Sequence, residues 1–407
     1  MVMVTTTTGC MLSTFADEPN SGLRIEVIDD KSTGDFKAYR KMITGPGHNE
    51  HPPYPGCTGF IGWESVTRLK SGEMLCSFSA GYWHVSFPTP WDIKPDLLAS
   101  WQKVGFPKSI NAPTGGRTLL CRSSDDGKTW TQPVTLIDTP GDDRHPVIVE
   151  NQDGSLLCAF FAIDNWYGYD APPPGRNKNS RVATARSTDN GKTWSEPVFM
   201  PSPFGYYDRM CGKPVVMPNG HLLLPTYGMP KFGGAEELGV YRSEDFGMSW
   251  RFVSKLKAKQ KALDEPAMTL ARDGTLVMIA RPEGEIAFSK DEGKTWSAPE
   301  LTGIAMDAPC LVTLKDGTIV CIFGWIATGG IQMMWSEDHG RTWTTPAKDR
   351  GFKIDDSTYT YAIGCEMPDN SIFVVYYDPR GDQTRTAILS LRVRIRQDRQ
   401  GIEILPP

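Results

Sequence analysis

The chain has 407 residues, 39% of them hydrophobic and 22% charged, which excludes a disordered polypeptide and is too long for one ordinary compact core. Its net charge of −5 provides no basic field for nucleic acid, and no apolar run approaches the roughly 20 residues a membrane helix needs. Nine cysteines without a C-x-x-C pair offer neither metal-ligand spacing nor a disulfide framework, so no metal and no organic cofactor is expected.

The first segment, Met1 to Ala16, is rich in Thr and lacks the apolar centre of a signal peptide. Residues 1–22 therefore read as an extension, processed or disordered, ahead of a single domain at 23–407. With no intact signal peptide visible the compartment stays open, secretion or the periplasm being slightly favoured. Leu23 to Ile28 is the first strand-like run. It is expected to help close the fold together with Ala387 to Ile395 near the other end, protecting edges that would otherwise template aggregation.

From residue 60 onward two turn motifs alternate. The first occurs at Lys70 to Leu75, Gln152 to Leu157, Pro218 to Leu223, Arg272 to Val277, Lys315 to Val320 and Pro368 to Phe373. Each joins two apolar runs and reads as a hairpin with a tight two-residue loop. The second is Ser-x-Asp-x-Gly-x-Thr/Ser-Trp, an Asp box, at Ser123 to Trp130, Ser187 to Trp194, Ser243 to Trp250, Ser289 to Trp296 and Ser336 to Trp343. Its Asp can bond turn amides, its Gly takes positive φ, and its Trp anchors the turn. Six hairpins, five of them followed by an Asp-box hairpin, predict an all-β fold, a six-bladed β-propeller of four-stranded antiparallel blades. Two Pro- and aromatic-rich insertions, Trp83 to Gly116 and Asn165 to Ser180, are expected on the functional face.

In a propeller the innermost strands converge on the axis, so function is sought where they begin. Counting back about ten residues from each first-hairpin turn gives Gly62-Trp63-Glu64, Arg144-His145, Arg209 with Lys213, Asp264-Glu265, Asp307, and Tyr359 with Tyr361. Ionisable groups are concentrated there beyond what strand ends alone require. The Asp boxes, by their repetition, read as peripheral structure.

These motifs resemble the sialidase superfamily over nearly the full length of the chain. The most specific stretch is Glu265-Pro-Ala-Met-Thr-Leu-Ala-Arg-Asp-Gly-Thr-Leu-Val-Met-Ile-Ala-Arg281. The resemblance implies that Glu265 is the base of a tyrosine nucleophile and Arg281 one arm of a carboxylate clamp. Tyr361 in Tyr361-Ala-Ile-Gly-Cys-Glu-Met-Pro-Asp-Asn takes the nucleophile's place. A phenol with its usual pKa near 10 attacks poorly until a carboxylate draws its proton, and a neutral nucleophile approaches an anionic sugar without repulsion. Gly62-Trp63-Glu64 stands where sialidases carry an Arg-Ile-Pro motif, and Ala327 to Met334 contains no clamp Arg. Arg144 and Arg209 are the substitutes available from other blades. For the general acid Asp92 ranks ahead of Asp96, and His84 is a sugar-facing candidate. Glu64, His145, Asp264, Asp307 and Tyr359 complete the expected binding set.

The leading expectation is an exo-acting, retaining glycoside hydrolase acting on a terminal, acidic sugar of a carbohydrate partner. Two alternatives stand beside it. One is a lyase or unusual hydrolase for uronate- or rhamnose-containing glycans, built on His84, His145, Tyr359 and Arg144. The other is a glycan-binding propeller without catalysis.

Overall fold

The computed structural model describes residues 22–51, 60–81, 116–139, 141–163, 180–231, 233–259, 263–327, 329–357, 361–378 and 385–407. Its strands form six separate antiparallel sheets arranged in sequence as the blades of a ring. Blade one runs Phe60–Arg68, Met74–Gly81, Arg117–Ser123 and Val134–Ile137 from the axis outward. Blade two is Asp142–Glu150, Leu156–Ile163, Ser180–Ser187 and Val198–Phe199. In blade three the inner strand is split into Tyr207–Arg209 and Val215–Val216, ahead of Leu222–Met229, Glu237–Ser243 and Arg251–Leu256. Blade four is Asp264–Leu270, Leu276–Arg281, Glu285–Ser289 and Glu300–Leu301.

The last two blades carry extra outer strands. Blade five has Met306–Thr313, Ile319–Trp325 and Ile331–Ser336, with both Thr342–Thr345 and Phe352–Asp355 paired to the third strand. Arg24–Val27, part of the first predicted strand, adds to it in parallel against Thr342–Thr345. Blade six has Ala362–Glu366, Ile372–Asp378 and Ala387–Ile395. The third of these is sandwiched between Lys41–Thr44 from the beginning of the fold and Ile402–Leu405 from its end. The ring is thus closed by Lys41–Thr44, a strand not singled out in the sequence, whose Ile43 is buried in the core shared by blades six and one.

The first-hairpin turns are longer than their sequence suggests. Asn151 N–H donates to Ser155 O and Gly154 N–H to Asn151 O, enclosing three loop residues with Gly154 at φ 82. Such a turn needs left-handed backbone at its last residue, which favours Gly or Asn and explains Asn370 at φ 61 in the sixth copy. The Asp boxes behave as read. In the third copy Ser249 N–H and hydroxyl both donate to Asp245, and Gly247 N–H donates to Ser243 Oγ. The box Trp docks on the preceding blade, as Trp250 Nε1 on Thr184 Oγ1 and Trp296 Nε1 on Ser254 Oγ show.

The seven described cysteines are all buried and unpaired, packed as small apolar side chains. Among the described residues no helix is long and apolar enough to cross a membrane.

Candidate active site

The inner strands do not run straight to the axis. In blades one, two, four and five the register against the second strand slips at the same place, so that two inner residues oppose one. The bulged pairs are Trp63-Glu64, His145-Pro146, Glu265-Pro266 and Ala308-Pro309. The first residue of each has positive φ, at 52, 51, 45 and 37. A non-glycine residue seldom adopts this conformation, and strain of this kind gathers at functional sites. The bulges bring Trp63, His145 and Ala308 to the axis beside Tyr361, which begins blade six.

Tyr361 donates its hydroxyl to Glu265 Oε1 at 2.5 Å. Burial pushes the Tyr361 phenol well above its ordinary pKa, the neighbouring Glu265 carboxylate adds to that, and Arg281 opposes it. Glu265 is pushed up to about 7, chiefly by burial, with Arg281 and the Tyr361 hydrogen bond pulling the other way. Arg281 lies directly across the ladder from Asp264 and bonds it with Nε at 2.8 Å and a second nitrogen at 3.2 Å. It also reaches Asp307 at 2.7 Å and Glu265 Oε2 at 3.1 Å. Burial works against the Arg281 charge, but Glu265, Tyr361 and Asp264 hold its proton on more firmly than usual.

On the other side of Tyr361 stands a cationic, aromatic wall. His145 stacks on Trp63 at 5.5 Å and meets the Tyr361 ring edge-on at 5.5 Å. Burial and the charges of Arg144, Arg209 and Arg281 push the imidazole well below its ordinary pKa, so it is neutral at pH 7. Arg144 is fully buried over the Trp63 ring and bonds Asp142 at 2.9 Å, while its Nε and one terminal nitrogen have no hydrogen-bond partner among the described residues. Arg209 lies over the Tyr207 ring and donates Nε to Ser180 Oγ at 3.1 Å. Below, the Lys213 ammonium crosses the axis from blade three to Val66 O of blade one and Gly364 O of blade six.

With this arrangement in view, residues 115–366 match the family model described as BNR repeat-like domain. The chain belongs to the BNR repeat-like domain family, within the sialidase-like propeller superfamily. Similar curated proteins are a sialidase of Bacteroides fragilis, 25% identical over 48% of this chain and 40% of its own length, and a sialidase of Micromonospora viridifaciens, 26% identical over 67% of this chain and 37% of its own. This BNR-repeat propeller thus matches about two fifths of the length of those relatives. Among solved structures, a protein of unknown function from Dyadobacter fermentans superposes with TM-score 0.64 at 20% identity, covering 86% of this chain and 97% of that one. The K499G mutant of the NanB sialidase from Streptococcus pneumoniae does so with TM-score 0.59 at 16% identity, covering 88% and 71%. At such identities the structures speak for the fold.

The propeller gathers Tyr361, Glu265, Asp264, Asp307, Arg281, His145, Arg144 and Arg209 around one axis, although they come from five blades. Arg281, expected as an arm of a substrate clamp, has its guanidinium engaged by three carboxylates. Glu64, expected to bind substrate, is 3% exposed and lies in the floor beside Tyr361. Asp92, His84 and Tyr359 lie outside the described residues. The sequence reading missed Glu236, whose carboxyl shares a hydrogen bond with Asp264 and is pushed up to about 8 by burial and the Asp264 charge. It precedes a third strand instead of an inner one, so no repeat position marks it. Trp63 was visible at a strand start, but its role as the plate beneath Arg144 and His145 is set by the bulge.

Proposed function

We propose that this chain is a retaining, exo-acting glycoside hydrolase for a terminal, anionic sugar, with Tyr361 as nucleophile and Glu265 as its base. The observation that carries this reading is the 2.5 Å hydrogen bond from the Tyr361 hydroxyl to the Glu265 carboxylate at the axis of the ring. As the phenol oxygen attacks the anomeric carbon, its proton passes to Glu265 and the aglycone departs with the bonding pair. Water then cleaves the glycosyl–tyrosine bond, and two inversions give net retention. The leaving oxygen needs a proton from a neutral carboxyl group. Asp92 is the candidate from sequence, and Glu236 holds a proton near the base.

In this reading Arg281 keeps Glu265, Asp264 and Asp307 in place. The grip on the sugar's anionic group falls to the partly exposed Arg209, with the buried Arg144 adding its charge from behind the Trp63 ring. The sialidase matches support a glycan substrate, and the two arginines support an anionic one.

The test is a panel of acidic glycans, sialosides included, followed at once for released sugar and for the absorbance of an unsaturated uronate. Release of a free acidic sugar, abolished by Tyr361→Phe, is the expected result. Absorbance without hydrolysis would transfer the site to the lyase reading and its His145. Binding without turnover, indifferent to Tyr361→Phe, would make the chain a glycan-binding propeller.

A further inference from the structure

The four bulges invite comparison, because they share one geometry and differ in side chains. Their second residue is Pro146 in blade two, Pro266 in blade four and Pro309 in blade five. In blade one it is Glu64. A bulge that three blades build with proline does not need a carboxyl group, so the presence of one calls for a reason outside the fold.

Its surroundings sharpen the question. Glu64 is 3% exposed, and among the described residues neither of its carboxyl oxygens has a hydrogen-bond partner. An unpaired carboxyl in such a place costs stability unless it stays neutral. Glu64 lines a chamber of about 10 Å³, the size of one water molecule, together with Trp63, His145, Cys211, Ala308 and Tyr361. The titratable groups around it are Cys76 on the neighbouring strand, His145 from blade two, Cys211 and Lys213 from blade three, and Tyr361 and Cys365 from blade six; blade five presents Ala308 there, with Cys310 behind it. Burial pushes the four thiols up and the imidazole down, leaving all five neutral. The cation of this set, Lys213, is committed to two backbone carbonyls. Burial accordingly pushes the Glu64 carboxyl up to about 8, and only its own backbone amide favours the ionised form.

We propose that Glu64 is a positioning residue that acts on Tyr361 through charge: it holds a proton while the site works, and its ionisation in the floor shuts the reaction down from the alkaline side. The inference rests on the reading of Tyr361 as nucleophile. No atom is transferred to or from Glu64 in the reaction, since the phenol's proton goes to Glu265. With Glu64 neutral, Glu265 is the carboxylate that bears most on the phenol, Asp264 and Asp307 being paired with Arg281. A second anion in the same chamber disfavours negative charge on the attacking and departing phenol oxygen and repels the Glu265 carboxylate.

The experiment uses the full chain, wild type against Glu64→Gln, with Glu64→Pro, the residue of the other bulges, as a second variant should the first fail to fold. Infrared difference spectra read the proton directly. The wild-type-minus-variant difference is expected to contain one protonated-carboxyl band at neutral pH, fading near pH 8, for either variant. In turnover, kcat of the wild type falls about tenfold further for each pH unit above that point than kcat of Glu64→Gln, with KM unchanged. An ionised Glu64 at neutral pH overturns the proposal. So does an alkaline limb that is the same in wild type and variants, and that result leaves the Tyr361 reading standing. A wild type that turns over no glycan removes the Tyr361 reading, and the proposed shut-off with it.

Discussion

Of the carboxyl groups pushed into the neutral range around the site, Glu265 and Glu64 act on Tyr361 in opposite senses. Glu265 must be ionised to accept the phenol's proton, and it is pushed up to about 7, so kcat/KM falls as pH drops through that value. Glu64 must be neutral, and it is pushed up to about 8, so activity falls again above it. A narrow bell between the two is expected in a pH–rate profile, and an acid limb still near the ordinary carboxylate range would remove Glu265 as the base. The same shifts carry a stability consequence. Both groups bind protons more tightly folded than unfolded, so their contribution is greatest at acid pH and declines as pH rises through 7 and 8. The melting temperature of Glu64→Gln should therefore fall less between pH 6 and 9 (about three decades of proton activity) than that of the wild type. For substrate grip, Arg209→Met is expected to raise KM for an anionic glycan about tenfold or more while sparing a neutral analogue. Equal losses on both substrates would place Arg209 in general packing over Tyr207.

At the scale of the element, turns and bulges divide the work between stability and function. In the third Asp box, Asp245 accepts bonds from the Ser249 N–H and hydroxyl and from the Ser243 hydroxyl. Asp245→Ala is expected to cost about 1–2 kcal/mol, seen as a lower melting temperature with unchanged kcat below the transition. A loss of kcat in the folded variant would contradict a purely peripheral role. The residue before the box glycine is also left-handed, with φ between 57 and 62 in all five copies, and in the third copy it is Phe246. Phe246→Asn should stabilise the fold by about 1 kcal/mol, because asparagine reaches this conformation with less strain. The bulges use the same backbone region for another end. They turn Trp63, His145 and Ala308 onto the axis and present Glu265 to Tyr361, where a regular strand would alternate these side chains between its two faces.

For the molecule as a whole, closure of the ring makes the site. Tyr361 comes from the last blade and Glu265 from the fourth, and blade six is finished by Lys41–Thr44 from near the other end of the fold. Placing a charge at the buried Ile43 should peel this strand away and expose the edge of Ala387–Ile395. Ile43→Asp is expected to melt earlier and to scatter light sooner on heating than the wild type. An unchanged transition would mean that the blade is held by its other strands.

The repeats were legible in the amino-acid sequence because turn chemistry is local: an Asp that bonds amides four residues on and a Gly or Asn in left-handed backbone leave the same mark wherever they occur. Counting from those marks was enough to predict the blades and to place Tyr361, Glu265, Arg144, Arg209, Asp264 and Asp307 at inner strand starts. What those residues do to one another was not legible. The engagement of Arg281 by three carboxylates, the stacking of Arg144 on Trp63 and the isolation of Glu64 depend on side chains far apart in the chain meeting at one axis. Burial, which sets the protonation of Glu64, Glu265 and His145, exists only once the ring is closed. The strand Lys41–Thr44 escaped notice for a related reason: it is four residues long, carries no turn motif, and is recognised as a strand by the edge it covers.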